Sequence, residues 1–287
     1  MAPFVIDQDF PDPGILVASG TVYAYATNSA AVNVQVATST DMKKWAVSSH
    51  DALPQLPSWA VRGKTWAPAV TQLTGGAFVM YFTATDVDSS RQCIGVATGA
   101  SPTGPFTSDA SQPLVCPVAE GGAIDPSVFT DTDGSTYLLY KNDGNCCGQD
   151  TWISIVRLAA DGLSLAGEPT RLVKQTEAWE GSLVEAPVLV RRGGAYILFY
   201  SANDYSTDRY AIGTASSASV AGPYVKGAKP FLSTSSSGGR FLGPGGQDIV
   251  TFHGTDWLVF HSWDASYAYR GMHALPLRWN GSTPSLG

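Results

Sequence analysis

Gly193-Gly194-Ala195-Tyr196-Ile197-Leu198-Phe199-Tyr200 joins a turn signal to a short strand of aromatic and aliphatic residues. Equivalent strands begin at Tyr23, Phe78, Tyr137 and Trp257, so successive starts lie 55, 59, 59 and 61 residues apart. Each follows its own turn signal: Ser19-Gly20, Gly75-Gly76, Asp133-Gly134 or His253-Gly254. Each is followed by a further strand, beginning at Val34, Ile94, Ile153, Tyr210 or Gly271. Glycine supplies the turn conformations, and aromatic and β-branched side chains suit a pleated surface. Hairpins repeated about every 60 residues describe propeller blades. The 287 residues accommodate five of them. The expected fold is an all-β five-bladed β-propeller, with residues 1–287 forming a single catalytic domain. A β-sandwich would leave the repeat unexplained.

Composition narrows the function. Charged residues make up 14% of the chain, net charge is −7, and no Lys/Arg run occurs. The basic footprint of a nucleic-acid binder is therefore missing. No apolar run approaches the roughly 18 residues of a membrane span. A neutral sugar or another small polar substrate suits this balance. Cys93, Cys116, Cys146 and Cys147 match no zinc spacing. They are read as two disulfides of an exported protein or as four buried thiols. Cys146 and Cys147 could bridge each other or seek separate partners.

Three acidic motifs stand 11 or 12 residues before their strands: Asp12 before Tyr23, Asp125 before Tyr137 and Glu185 before Tyr196. They read Pro11-Asp12-Pro13, Ile124-Asp125-Pro126 and Glu185-Ala186-Pro187. The second blade offers Trp66-Ala67-Pro68 at this point, and the fifth Gly245-Gly246-Gln247-Asp248. This register places all five stretches on innermost strands at one mouth of the channel. Proline fixes its own φ and is expected to push its predecessor towards extended geometry. Carboxylates crowded in this way separate in pKa, as hydrolysis of a glycosidic bond by paired acid and base requires. Trp66 is positioned to stack on a sugar face.

With these motifs the chain resembles glycoside hydrolase family 43, five-bladed propeller enzymes that act on arabinose- and xylose-containing glycans with inversion. The resemblance rests on Phe10-Pro11-Asp12-Pro13-Gly14-Ile15, Trp66-Ala67-Pro68, Ala123-Ile124-Asp125-Pro126-Ser127-Val128-Phe129 and Val184-Glu185-Ala186-Pro187. It implies that Asp12 is the general base, Glu185 the general acid and Asp125 the modulator of the acid. It likewise implies that Arg270, in Tyr269-Arg270-Gly271, reaches the sugar site. Acid and base are then expected roughly 6.5–9.5 Å apart, leaving room for a water. Related fructan-active propellers carry Arg-Asp-Pro and Glu-Cys-Pro at the second and third acidic positions, which this chain lacks.

One departure concerns a metal. Many members of that family carry a His after Gly-Pro-Gly in the last blade, where it holds a central ion through waters. This chain reads Gly243-Pro244-Gly245-Gly246, with Gly246 at that place, and His261 lies too far along its own strand to substitute. No metal ligands and no required cofactor are expected; a structural calcium or sodium ion is the alternative. The expectation is a secreted monomer that binds arabinose- or xylose-containing polysaccharide and neither nucleic acid nor membrane, although residues 1–10 show no signal segment. Exo-acting α-L-arabinofuranosidase is the activity expected first, with endo-arabinanase, β-xylosidase and a non-catalytic sugar-binding propeller as alternatives.

Overall fold

The computed structural model describes residues 1–73 and 75–287. Its strands form five antiparallel sheets arranged in chain order. The first holds β1 (Gly14–Ala18), β2 (Thr21–Ala26), β3 (Gln35–Ser39) and β4 (Ala46–Val47). The second holds β5 (Ala60–Gln72), β6 (Phe78–Asp86) and β7 (Gln92–Gly99). In the third are β8 (Ala123–Thr130), β9 (Thr136–Asn142), β10 (Trp152–Arg157) and β11 (Thr170–Lys174). The fourth comprises β12 (Val184–Arg192), β13 (Ala195–Ala202), β14 (Ala211–Ser217) and β15 (Val225–Lys226). The fifth comprises β16 (Leu242–Phe252), β17 (Thr255–Trp263), β18 (Arg270–Asn280) and β19 (Thr283–Leu286). This is the five-bladed β-propeller that the repeat predicts.

The first strands of the blades meet around the axis, β1 against β5, β5 against β8, β8 against β12, β12 against β16 and β16 against β1. Five apolar clusters fill the five spaces between blades. Between blades 1 and 2, for example, Tyr25 and Val36 pack with Met80 and Phe82. Between blades 4 and 5, Phe199 and Ile212 pack with Leu258 and Phe260. Each cluster includes aromatic residues, whose large side chains bury much apolar surface. The ring closes where the N-terminal segment runs along β18: Val5 N–H donates to Met272 O at 2.8 Å and Phe10 N–H to Arg270 O at 3.0 Å.

Of the two readings of the cysteines, disulfides hold. Cys93 pairs with Cys116, and Cys146 with its neighbour Cys147. The Asp131–Gly134 tetrapeptide is a hairpin turn, closed by Gly134 N–H donating to Asp131 O at 3.0 Å.

Candidate active site

Each of the five inner strand segments bends at the same place. Asp12, Ala67, Asp125, Ala186 and Gly246 all have positive φ, of 55°, 43°, 57°, 50° and 56° respectively. The pairing registers of β5, β8, β12 and β16 slip across this residue, the signature of a bulge. Here the structure corrects the expectation that proline holds its predecessor extended: in four blades the residue before Pro is left-handed. Such strain costs on the order of 1–3 kcal/mol and persists where surrounding structure enforces it. Proline fits because an inner strand's free edge faces the channel, so the missing N–H leaves no ladder bond unmade. The bulge re-aims side chains towards the axis.

The bulge removes one N–H per blade from the ladder, and the preceding blade satisfies it. Ala67 N–H donates to Thr27 Oγ1 at 3.1 Å and Asp125 N–H to Thr83 Oγ1 at 3.2 Å. Gly246 N–H donates to Ser201 Oγ at 2.9 Å, and Asp12 N–H to His261 Nδ1 at 3.0 Å. These acceptors stand opposite the residue before the bulge in their own blades: Thr83 pairs with Trp66, Ser201 with Glu185 and His261 with Gly245, while Thr27 N–H bonds Pro11 O. In blade 3 that place, opposite Ile124, is held by Lys141. An ammonium cannot accept, and the N–H of Ala186 turns instead to Asp125 Oδ2 at 2.9 Å.

The five bulges line a central cavity through residues 12–14, 67–69, 125–127, 186–188 and 246–248. Asp12 and Asp125 border it directly. Glu185 stands one residue before its bulge, buried beside them. Its Oε1 accepts from the Tyr210 hydroxyl at 2.8 Å, and its Oε2 from Lys141 Nζ at 3.1 Å. The Tyr210 ring stacks on His261, centroids 6.0 Å apart and 11° from parallel. Side chains thus run from Glu185 through Tyr210 and His261 to Asp12. Sequence reasoning brought the three carboxylates together, and in the structure the charges of Glu185 and Asp12 both act on Asp125.

Their electrostatics differ. Burial pushes the Asp12 carboxyl up, but the Arg270 guanidinium, the His261 ring and the Thr27 hydroxyl outweigh it and hold the group below the ordinary range. Arg270 Nη1 lies 3.7 Å from Asp12 Oδ1, and Thr27 Oγ1 donates to Oδ2 at 2.7 Å. His261 is itself pushed down to about 3 by burial and by Arg270, so it is neutral and Arg270 is the cation facing Asp12. Asp125 moves the opposite way, well above its usual value, because of burial and then the charge of Glu185.

Arg270 faces Asp12, and it forms part of a wall that the sequence did not reveal. Its guanidinium lies 4.9 Å from the Tyr205 ring and 5.8 Å from that of Trp263, with Tyr267 against Trp263 at 5.9 Å. Tyr205 and Tyr267 are exposed. Trp66 occupies on blade 2 the register that Glu185 has on blade 4, and is half-buried. Lys141, Tyr210 and His261 were not foreseen as site residues. The sequence places His261 too far along its strand to replace a side chain at 246, yet the structure brings its ring into that space. A Cβ at 246 would lie 2.5 Å from the ring and 2.8 Å from Asp12 Oδ1. The neighbouring glycine serves Tyr210 in the same way: a Cβ at Gly245 would fall 2.0 Å from its ring.

This arrangement does not fit a central ion held from position 246. His261 Nδ1 already accepts the Asp12 N–H, so the ring proton of the neutral form sits on Nε2, which is buried and has no partner among the described residues. A protonated nitrogen is no metal ligand. Below the carboxylates, Ser201 donates to Gln247 Oε1 at 2.7 Å and Gln247 Nε2 donates to Ala186 O at 2.6 Å.

The profile described as "Glycosyl hydrolases family 43" matches residues 3–284. The chain is 26% identical to a protein named extracellular endo-alpha-(1->5)-L-arabinanase 1 of Bacillus subtilis, covering 96% of this chain and 86% of that one. It is 26% identical to an extracellular exo-alpha-(1->5)-L-arabinofuranosidase of Cellvibrio japonicus, covering 95% and 84%. A putative beta-xylosidase of Xylanibacter ruminicola is also 26% identical over 96% of this chain, which spans about half (49%) of that relative's length. Among solved structures, a thermostable family-43 glycoside hydrolase superposes with a TM-score of 0.84 at 26% identity, covering 97% and 93% of the two chains.

Proposed function

The chain belongs to glycosyl hydrolase family 43, and from that premise we propose an exo-acting α-L-arabinofuranosidase that releases arabinose from arabinan or arabinoxylan with inversion. Glu185 donates a proton to the glycosidic oxygen as its bond to the anomeric carbon breaks. Asp12 takes a proton from the water whose oxygen bonds that carbon from the opposite face. Asp125, protonated more readily than an ordinary carboxyl, tunes Glu185 and holds its strand through the Ala186 N–H. The observation that carries this reading is the unlike treatment of two carboxyls at one mouth. Asp12 is kept ionised by Arg270, while burial and the charge of Glu185 raise Asp125.

The wall of Arg270, Tyr205, Trp263 and Tyr267 beside Asp12 supports a site closed on one side, as exo action requires, with Trp66 stacking on the sugar. Names of similar proteins support arabinose- or xylose-containing polysaccharide as substrate and an extracellular location. Product analysis on arabinan, arabinoxylan and the aryl arabinofuranoside and xyloside tests the proposal. Released arabinose with inverted configuration is the expected result; a ladder of oligomers would replace exo by endo action, and xylose alone would replace the sugar. Turnover is proposed to need no metal ion, supported by the occupation of the Gly246 space by His261. Activity lost to a chelator and restored by calcium would overturn this.

A further inference from the structure

Lys141 is a buried charge beside the acid that the reaction scheme above leaves unused. Its side chain is 0% exposed, and its ammonium lies 3.1 Å from Glu185 Oε2 and 3.5 Å from Asp143 Oδ1. A buried cation of this kind costs several kcal/mol in lost hydration unless carboxylates surround it. The repeat shows that the fold does not require it. Four blades place a neutral acceptor at this register, Thr27, Thr83, Ser201 and His261, and each takes the N–H of the next blade's bulge. Blade 3 forgoes that bond, and Asp125 must supply the acceptor instead.

We propose that Lys141 is a positioning residue for the acid: its ammonium holds the Glu185 carboxyl from the buried side and sets the highest pH at which that carboxyl still delivers its proton. The inference rests on the assignment of Glu185 as the acid. Asp125 on β8 opposes Lys141 by favouring a proton on its neighbour. Asp143, on the loop after β9, competes for the ammonium and is itself influenced by Arg91. The Tyr210 hydroxyl, just before β14, meets the other Glu185 oxygen. Asp12 lies across the mouth and answers to Arg270, not to Lys141. Two opposed neighbours therefore bracket the acid, and the alkaline limit of activity reports their balance.

The test is the pH profile of kcat/KM for Lys141→Thr and Lys141→Met, with folding followed by circular dichroism and Tm. Threonine restores the acceptor used in blades 1 and 2, and methionine removes only the charge. In both, the alkaline limb should rise by roughly 1–3 pH units, the effect of losing one close opposite charge, while the acid limb stays. A limb that does not move in folded variants, or two limbs displaced together, overturns the proposal. Should neither variant fold, Asp143→Asn decides. Removing that competitor leaves the ammonium to Glu185 and lowers the alkaline limb; an unmoved or raised limb overturns the proposal. A wild-type enzyme that hydrolyses no arabinofuranoside or xyloside would refute the glycosidase assignment itself, a failure distinct from wild-type activity with unmoved limbs.

Discussion

Asp12 and Asp125 are the same residue in the same setting. Each sits at an inner-strand bulge with φ of 55° or 57°, each precedes a proline, and each is half-buried on the wall of one central cavity. Yet the Asp12 carboxyl is held low and that of Asp125 high. The backbone cannot be the cause, because it is shared. What differs is the company supplied by neighbouring blades: Arg270 and the Thr27 hydroxyl for Asp12, the Glu185 carboxylate for Asp125. A repeat fold thus delivers equivalent scaffolds, and unlike chemistry enters through a few side chains facing each bulge.

The strongest way to break the comparison is to delete one carboxyl on each side. Asp12→Ala and Glu185→Ala should each lower kcat by roughly 10²–10⁴-fold, the usual worth of a positioned acid or base. Alanine occupies the equivalent bulge in blades 2 and 4, so the backbone accepts it at position 12. The two deletions should then part. With a dinitrophenyl leaving group, which departs without protonation, Glu185→Ala recovers much of its rate and Asp12→Ala does not. Equal recovery in both variants would reverse or void the assignment of sides.

A smaller effect comes from Arg270→Met, which removes the cation facing Asp12. The carboxyl then rises, and the acid limb of the pH profile should move up by roughly 1–3 units. The variant loses rate in mild acid and least at high pH. Stability responds with matching sign. A depressed carboxyl stabilises the fold above its unfolded pKa and loses that contribution as pH falls through its folded value. Raising that value moves the loss to higher pH. A profile with an unmoved acid limb would show that Arg270 serves only to pack Tyr205 and Trp263.

Much of this was legible in the chain. Aromatic strands recurring at blade spacing announce the fold because each blade must bury the same two faces, and the acidic motifs lie at one register because the bulges do. Lys141, Tyr210 and His261 were hidden for one reason. They sit on a second strand or, for Tyr210, just before a third, where a residue facing the channel reads like any other strand residue. Tyr140-Lys141-Asn142 carried a usable signal nonetheless: a lysine within an otherwise apolar blade strand demands a buried anion. The wall around Arg270 is built from loops, and packing between loops has no period.

The comparison of blades also predicts a rescue. Gly246 shares its backbone conformation with Ala67 and Ala186, so alanine is not excluded there by φ. What excludes it is the His261 ring, 2.5 Å from the added Cβ. Gly246→Ala should therefore destabilise the protein by about 1–3 kcal/mol, as overpacking does. In a His261→Ser background, which copies blade 4, the same substitution should cost much less. Denaturant unfolding of the four-member cycle measures the coupling. Additive costs would mean that the ring does not define the space.

The effect expected to be smallest in acid concerns Asp248, two residues beyond the fifth bulge and half-buried on the channel wall. It accepts the Ile15 N–H at 2.7 Å and the Ile249 N–H at 2.7 Å, and so ties blade 5 to blade 1. Burial raises it to about 7 although both donors pull it down. Between its unfolded value near 4 and about 7, the unfolded chain is ionised while the fold keeps the proton. Stability from this group is therefore full at low pH, declines across that window and levels off above it. Asp248→Asn abolishes the decline at the expense of one acceptor, a loss of about 1 kcal/mol at every pH. The variant should melt lower than wild type at pH 4, by about 2–4 °C, and higher than wild type by pH 8, because a rise of about 3 units withdraws about 4 kcal/mol from wild type across the window. A gap that stays constant with pH would mean that the seam between blades 5 and 1 holds an ionised carboxylate throughout.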